Sequence, residues 1–172
     1  MPAYPKLPKI LADQLALIAA EGEEAEVGEP EERTDLNTGE VTEGPVTRPW
    51  DLGELVGKFA AEVYGWLDEA VLWFNQAYGW QEDQLIPACW QEHWGLALDF
   101  AAVAFNRLDI YANDSPAYVS RWHGEWDDLQ RRMGVAFGEN SGRDCRSGRH
   151  TDPGTYSRES IEKAVRDRQA AA

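Results

Sequence analysis

Apolar residues recur three and four positions apart in two long segments of the chain, a spacing typical of helices with one buried face. Residues 51–78 predict a first core helix, with Asp51 as its N-cap. Residues 87–112 begin at Pro87, a favoured residue of a first helical turn, and are apolar around most of the helical circumference. We therefore expect an amphipathic helix followed by a central helix that is buried on several sides.

A third core helix is predicted after a turn at residues 113–114. Ser115 is a good N-cap, Pro116 suits the first helical position, and the helix should end between Gly134 and Gly138. Its apolar stripe consists of Val119, Trp122, Trp126, Leu129 and Met133.

The eight tryptophans all lie between residues 50 and 126, so we place the core there. Trp66, Trp73 and Trp80 recur every seven residues and share one stripe if the first core helix extends that far. We interpret the stripe as core or interface packing. A base-stacking platform would need a positively charged groove, and this helix carries only Lys58.

Two shorter helices are predicted outside the core. Residues 8–20 predict an amphipathic helix that either folds back onto the core or binds another protein as a helix in a groove. Ser157 is the N-cap of a predicted short basic helix near the C-terminus. Residues 21–48 hold ten acidic and two basic residues and no aromatic one, which predicts a flexible acidic linker or an arm that docks on a basic partner.

The predicted fold class is therefore all-α: a small helical bundle with three core helices plus short peripheral N- and C-terminal helices. The expected parts are residues 1–49 (short helix and acidic linker), 50–138 (Trp-rich helical core) and 139–172 (Gly-rich Cys/His loop and basic helix).

The charge and the apolar pattern exclude several classes of protein. With 31 acidic and 16 basic residues the formal net charge is -15, which disfavours binding to the phosphates of nucleic acids. No apolar run is long enough for a membrane span, and the first residues lack the features of a secretory signal. Two cysteines cannot form a disulfide framework, so a cytoplasmic protein is expected.

Two Cys/His pairs form the one group of residues in the sequence that suits a metal site. Cys89 and His93 are four residues apart, which places them on one face of a helix, and Cys145 and His150 are five apart in the Gly-rich loop. Two thiolates and two imidazoles suit a tetrahedral zinc ion. The sequence thus predicts a structural zinc site of Cys89, His93, Cys145 and His150. The alternative is that Cys89 and His93 are ordinary core residues and the loop pair is incidental.

The remaining histidine, His123, precedes Asp127 by four residues, as in half of a proton-transfer set, and it is also an alternative metal ligand. We interpret it as a rim histidine, because no convincing nucleophile accompanies it. The sequence has no phosphate-binding loop and none of the common hydrolase motifs, so a non-enzymatic protein is expected.

The segments CWQEHW, NRLDIYANDSP and RWHGEWDDLQRRM, followed by the loop with Cys145 and His150, resemble a family of small Trp-rich helical proteins of unknown function. That family is encoded on actinobacterial plasmids, integrative elements and prophages, and the resemblance covers residues 60–150. It implies a mobile genetic element in a bacterial cytoplasm, and it places Cys89, His93, Cys145 and His150 on the family's Cys/His positions. The gap between Cys89 and His93 is shorter here than in the family.

We expect a protein–protein interaction module of a mobile element or phage, with zinc as its candidate cofactor and a protein as its partner. One alternative is an acidic inhibitor that imitates nucleic acid and binds a host nuclease or DNA-binding protein. Another is a phage virion or assembly component. Direct nucleic-acid binding through the basic segment 141–172 ranks last, because acidic residues largely cancel its charge. Leu17 and Ile18 of the first helix, together with exposed parts of the Trp stripe, are candidates for a homodimer seam.

Overall fold

The computed structural model describes residues 3–24, 33–34, 41–42, 47–79, 84–112, 115–137 and Cys145. Its elements are α1 (Lys9–Glu24), β1 (Arg33–Thr34), β2 (Val41–Thr42), α2 (Gly57–Tyr78), a 3-10 helix (Trp90–Glu92), α3 (Trp94–Ala112) and α4 (Pro116–Phe137). The all-α prediction is confirmed. Each helix among the described residues is too short or too polar to cross a bilayer.

The first core helix begins later than predicted. Asp51 lies in a turn, where its N–H donates to the carbonyl of Arg48 and its carbonyl accepts from Glu54. Gly57 has a φ of 57°, in the left-handed region, so a right-handed helix cannot continue through it toward the N-terminus. The N-cap prediction for Asp51 is wrong, because Leu52 and Leu55 are buried in the segment before the helix rather than on a helix face, and Val56 is exposed.

The central helix also begins later, at Trp94 rather than Pro87. The backbone of His93 is not helical (φ -99°, ψ 81°), and its carbonyl accepts the first α-helical hydrogen bond, from the N–H of Ala97 (2.9 Å). The residues before it form a loop and one 3-10 turn. Periodicity could not separate this arrangement from a helix, because the loop buries apolar residues at similar intervals.

The third core helix matches its prediction. The carbonyl of Ser115 accepts hydrogen bonds from Tyr118 and Val119, and α4 runs from Pro116 to Phe137. Four residues of its predicted stripe are buried, Trp122, Trp126, Leu129 and Met133, and Val119 packs at their edge. This stripe makes α3 and α4 the most closely associated pair of helices.

The core is an aromatic cluster in which α2, α3 and α4 meet. The ring of Phe74 on α2 lies 4.5 Å from that of Trp126 and 5.3 Å from that of Phe100, measured between centroids. Trp66 and Trp73 are buried, as their stripe predicts, whereas Trp80 falls outside the described residues.

The N-terminal segment folds back onto this core. Leu11 of α1 is completely buried, and the side-chain amide of Gln14 donates to the carbonyl of Thr47 (2.8 Å). α1 extends to Glu24, into the stretch predicted as linker, and β1 pairs with β2 in an antiparallel ladder. Of the predicted linker, residues 25–32, 35–40 and 43–46 lie outside the described residues, as does the predicted C-terminal helix.

Candidate metal centre

The loop that carries Cys89 is attached to α2 through the side chain of Asn75. Its amide nitrogen donates to the carbonyl of Ile86 (3.0 Å), and its amide oxygen accepts from the N–H of Ile86 (2.8 Å). Gly79 lets the loop approach the end of α2, because a Cβ there would lie 2.3 Å from Leu85 Cδ2 and 2.5 Å from the carbonyl oxygen of Asn75. These contacts determine where the chain enters the site.

A second attachment fixes the 3-10 helix itself. The indole N–H of Trp90 donates to Asp68 Oδ1 (2.8 Å), and the side chain of Gln91 donates to the same oxygen (3.0 Å). The Trp90 ring is buried and meets Phe100 edge-on, with 5.5 Å between centroids. The turn is therefore held by a carboxylate on one side and by the aromatic core beneath it.

The 3-10 helix places Cys89 and His93 at its two ends, with their side chains facing each other. Cys89 Sγ lies 3.5 Å from His93 Nε2, and the same nitrogen lies 3.2 Å from Cys145 Sγ. The three atoms all lie within 4.8 Å of one another. The structure thus joins Cys145 to a pair of side chains more than fifty residues earlier in the chain.

The two sulfur–nitrogen separations are close to those of a tetrahedral metal site. With zinc–sulfur and zinc–nitrogen bonds of ordinary length, neighbouring sulfur and nitrogen ligands lie about 3.5 Å apart, and two sulfurs lie about 3.8 Å apart. The cluster can therefore hold a metal ion after only small adjustments. His93 and Cys145 are 8% and 5% exposed, and Cys89 is half-buried.

The protonation of Cys89 sets the conditions for metal binding. Burial, and after it the neighbouring Cys145 side chain, raise the pKa of its thiol to about 11. Cys89 is thus a neutral thiol at neutral pH in the absence of a metal. Because a metal binds the thiolate, binding must release this proton and will weaken as the pH falls.

Of the four predicted ligands, Cys89, His93 and Cys145 lie together, and His150 falls outside the described residues. His123 lies on α4, where its ring packs edge-on against Tyr78 (5.9 Å between centroids) and Trp122 (5.1 Å). It lies outside the three-residue cluster, in keeping with its interpretation as a rim histidine.

The sequence reasoning did not identify the two side chains that position the turn, Asp68 and Asn75. A weak signal was available: both are polar residues, and they are seven residues apart, which places them on one face of α2. Their partners, however, are a side chain and a backbone segment of a later loop, and no local pattern specifies those.

Comparisons of this chain with family models, with curated proteins and with solved structures found no match.

Proposed function

We propose that this protein is a helical protein-binding module in which a structural zinc ion joins the C-terminal segment to the core. The observation that carries the proposal is the convergence of Cys89, His93 and Cys145 within 4.8 Å. Thiolate and imidazole are the ligands that structural zinc sites use.

His150 is proposed as the fourth ligand. It follows Cys145 by five residues, a separation that lets two ligands from one loop bind the same ion. A set of four protein ligands leaves no coordination position for a substrate, and two of the ligands are buried, which supports a structural rather than a catalytic ion.

Metal analysis of the full chain, purified without an affinity-tag metal, tests the zinc site. We expect about one zinc ion per chain in the wild type and loss of most of it in Cys145→Ser, because each ligand contributes directly to affinity. His150→Ala should retain zinc with reduced affinity, and charge-transfer bands of the cobalt-substituted protein should report two thiolates.

His123→Ala is the matched control, since it removes a histidine that lies outside the cluster. It should retain about one zinc ion per chain. The proposal fails if the wild type binds no zinc, or if His123→Ala loses as much as Cys145→Ser does.

The protein-binding role is supported by the surface beside the metal cluster. Trp94 directly follows His93 and is half exposed (50%), and its ring lies over Gly53, where an added Cβ would be 3.7 Å from Cζ2. Exposed tryptophans are frequent anchors of protein interfaces. The exposed acids Asp51 and Glu92 are close to it in space or in sequence, so the partner should offer an apolar pocket with a basic rim.

Cross-linking in the source organism, followed by mass spectrometry, tests this role. We expect one partner to be cross-linked by the wild type and by Tyr118→Ser, which alters an equally exposed aromatic residue on α4, and to be lost in Trp94→Ser. An unchanged yield with Trp94→Ser would contradict the proposed surface.

We also propose a bacterial mobile genetic element as the context of the gene. Its support is the resemblance of the segments CWQEHW and RWHGEWDDLQRRM. Recombination, replication or phage structural genes beside this gene would agree with the proposal, and a conserved housekeeping neighbourhood would oppose it.

A further inference from the structure

The chain has two cysteines, and the structure brings their sulfur atoms within 4.8 Å of each other. The two differ in exposure: Cys89 is half-buried at the rim of the turn, and Cys145 is buried. The more exposed thiol can attack an oxidant, and the buried thiol beside it is placed to resolve the mixed disulfide that forms.

We infer that Cys89 and Cys145 are a reversible disulfide-forming pair, whose oxidant is a low-molecular-weight disulfide such as oxidised glutathione. The inference goes beyond the metal site, because it concerns the metal-free protein. Its second part, that zinc and oxidation compete for the same sulfur atoms, rests on the proposed function.

The reaction proceeds by two thiol–disulfide exchanges. The Cys89 thiolate attacks one sulfur of the oxidant, whose S–S bond breaks and releases one glutathione thiolate. The Cys145 thiolate then attacks Cys89 Sγ in the mixed disulfide and releases the second. The two protons from the cysteines end on the two released thiolates. Two protein thiols are oxidised to one disulfide, and one oxidant disulfide is reduced to two thiols.

Formation of the disulfide requires the two sulfur atoms to move closer together. A disulfide has an S–S length of about 2 Å, so the two sulfurs must approach by less than about 3 Å, within the range of side-chain rotation. His93 Nε2 lies 3.5 Å from one sulfur and 3.2 Å from the other before the reaction. The product removes both sulfur ligands, and a metal ion cannot bind to His93 and the proposed ligand His150 alone with comparable affinity.

The test uses the full wild-type chain, reduced, stripped of metal and exposed to oxidised glutathione with or without zinc. In the absence of zinc we expect loss of both free thiols, a mass decrease of two hydrogen atoms, a monomer on a non-reducing gel and a cross-linked peptide pair containing Cys89 and Cys145. Equimolar zinc should slow the loss of thiols about tenfold, because coordinated sulfurs are shielded from the oxidant. The incubation must be long, since thiolate is the reacting species.

Three results would overturn the pair: a stable glutathione adduct, a disulfide-linked dimer as the main product, or persistence of both thiols in conditions that oxidise the unfolded chain. Cys145→Ser is the trapping control and should stop at the adduct on Cys89. His93→Ala keeps both thiols, so it should still form the disulfide but lose the protection by zinc.

The same experiment separates the two proposals. A disulfide that forms equally fast with and without zinc supports the thiol pair and overturns the zinc site. Zinc binding without disulfide formation in the stripped protein supports the zinc site and overturns the thiol pair.

Discussion

Two distant parts of the chain are attached to the same core by different chemistry. Near the N-terminus, the ring of Tyr4 meets Trp73 edge-on (4.9 Å between centroids), and its hydroxyl donates to the carbonyl of Ala104 (2.9 Å). The guanidinium of Arg107 lies 4.1 Å from the centre of that ring and 4.0 Å from that of Tyr111. Toward the C-terminus, the corresponding attachment consists of Cys145 and its two partners in the turn.

We call these two attachments the N-terminal anchor (Tyr4 and its partners) and the C-terminal anchor (Cys145 and its partners). Their chemistry determines how strongly each depends on solution conditions. The N-terminal anchor spreads its energy over aromatic surface, a cation–π contact and one hydrogen bond, so it persists over a wide range of solution conditions. The C-terminal anchor rests on three side-chain atoms that could hold a metal ion, so under the proposed function it would respond to pH, oxidation and metal supply. The N-terminal anchor has no such dependence on a metal or on thiol chemistry.

Removing the metal from the proposed site should lower the free energy of unfolding more than any of the substitutions below. With free zinc at about a thousandfold excess over its dissociation constant, the ion adds about 4 kcal/mol to the free energy of unfolding, and a chelator should abolish this increment. Urea denaturation with and without chelator measures it. Equal midpoints in the two solutions would mean that the C-terminal anchor is not a metal site.

Tyr4→Ala should have the next largest effect and should leave the metal site intact. Truncating a packed aromatic residue costs about 3 kcal/mol, and here it also removes a ring from Arg107. Urea denaturation measures the loss, and the zinc content of the folded variant should equal that of the wild type. A parallel loss of zinc would show that the two anchors are coupled.

Asn75→Ala should weaken the C-terminal anchor from a distance. It removes both hydrogen bonds to Ile86, at a cost of about 2 kcal/mol, and it frees the loop that positions Cys89. We expect zinc affinity to fall about tenfold, as measured by competition with a chelator. Gln76→Ala, an exposed neighbour on α2, is the matched control and should change neither quantity.

Tyr4→Phe should change the free energy of unfolding less than the other changes do. Measurements at alkaline pH are the most informative for this variant. Burial raises the pKa of Tyr4 above its ordinary value of 10.0, so above that pH the folded state retains a proton that the unfolded state has lost. Stability therefore falls as the pH rises through this range. At neutral pH the variant should lose about 1 kcal/mol, the value of one hydrogen bond.

The free energy of unfolding should fall less steeply with rising alkaline pH in Tyr4→Phe than in the wild type. Some loss remains, because burial also raises the pKa values of Tyr64 and Tyr78. Unfolding curves at several alkaline pH values give the comparison, and identical slopes for the two proteins would contradict the assignment to Tyr4.

The periodicity of apolar residues predicted a helix correctly where capping residues marked its start and the apolar stripe was buried. The start of α4 at Pro116 and its buried stripe followed from a capping serine, a first-turn proline and regular apolar spacing. It failed at the starts of α2 and α3, because apolar residues buried in a turn produce the same intervals as a helix face. The break at Gly57 depends on one backbone angle, which the spacing of side chains does not report.

The sequence by itself determined the helical class of the core, the position of its tryptophans and the Cys/His residues worth pairing, because these depend on composition and on short-range spacing. Only the tertiary structure decided that Cys145 meets Cys89 and His93, that Asp68 and Asn75 hold the turn, and that Tyr4 covers Arg107. Each of these contacts joins residues far apart in the chain or on different elements. Their energies depend on distances and burial that exist only once the helices have packed.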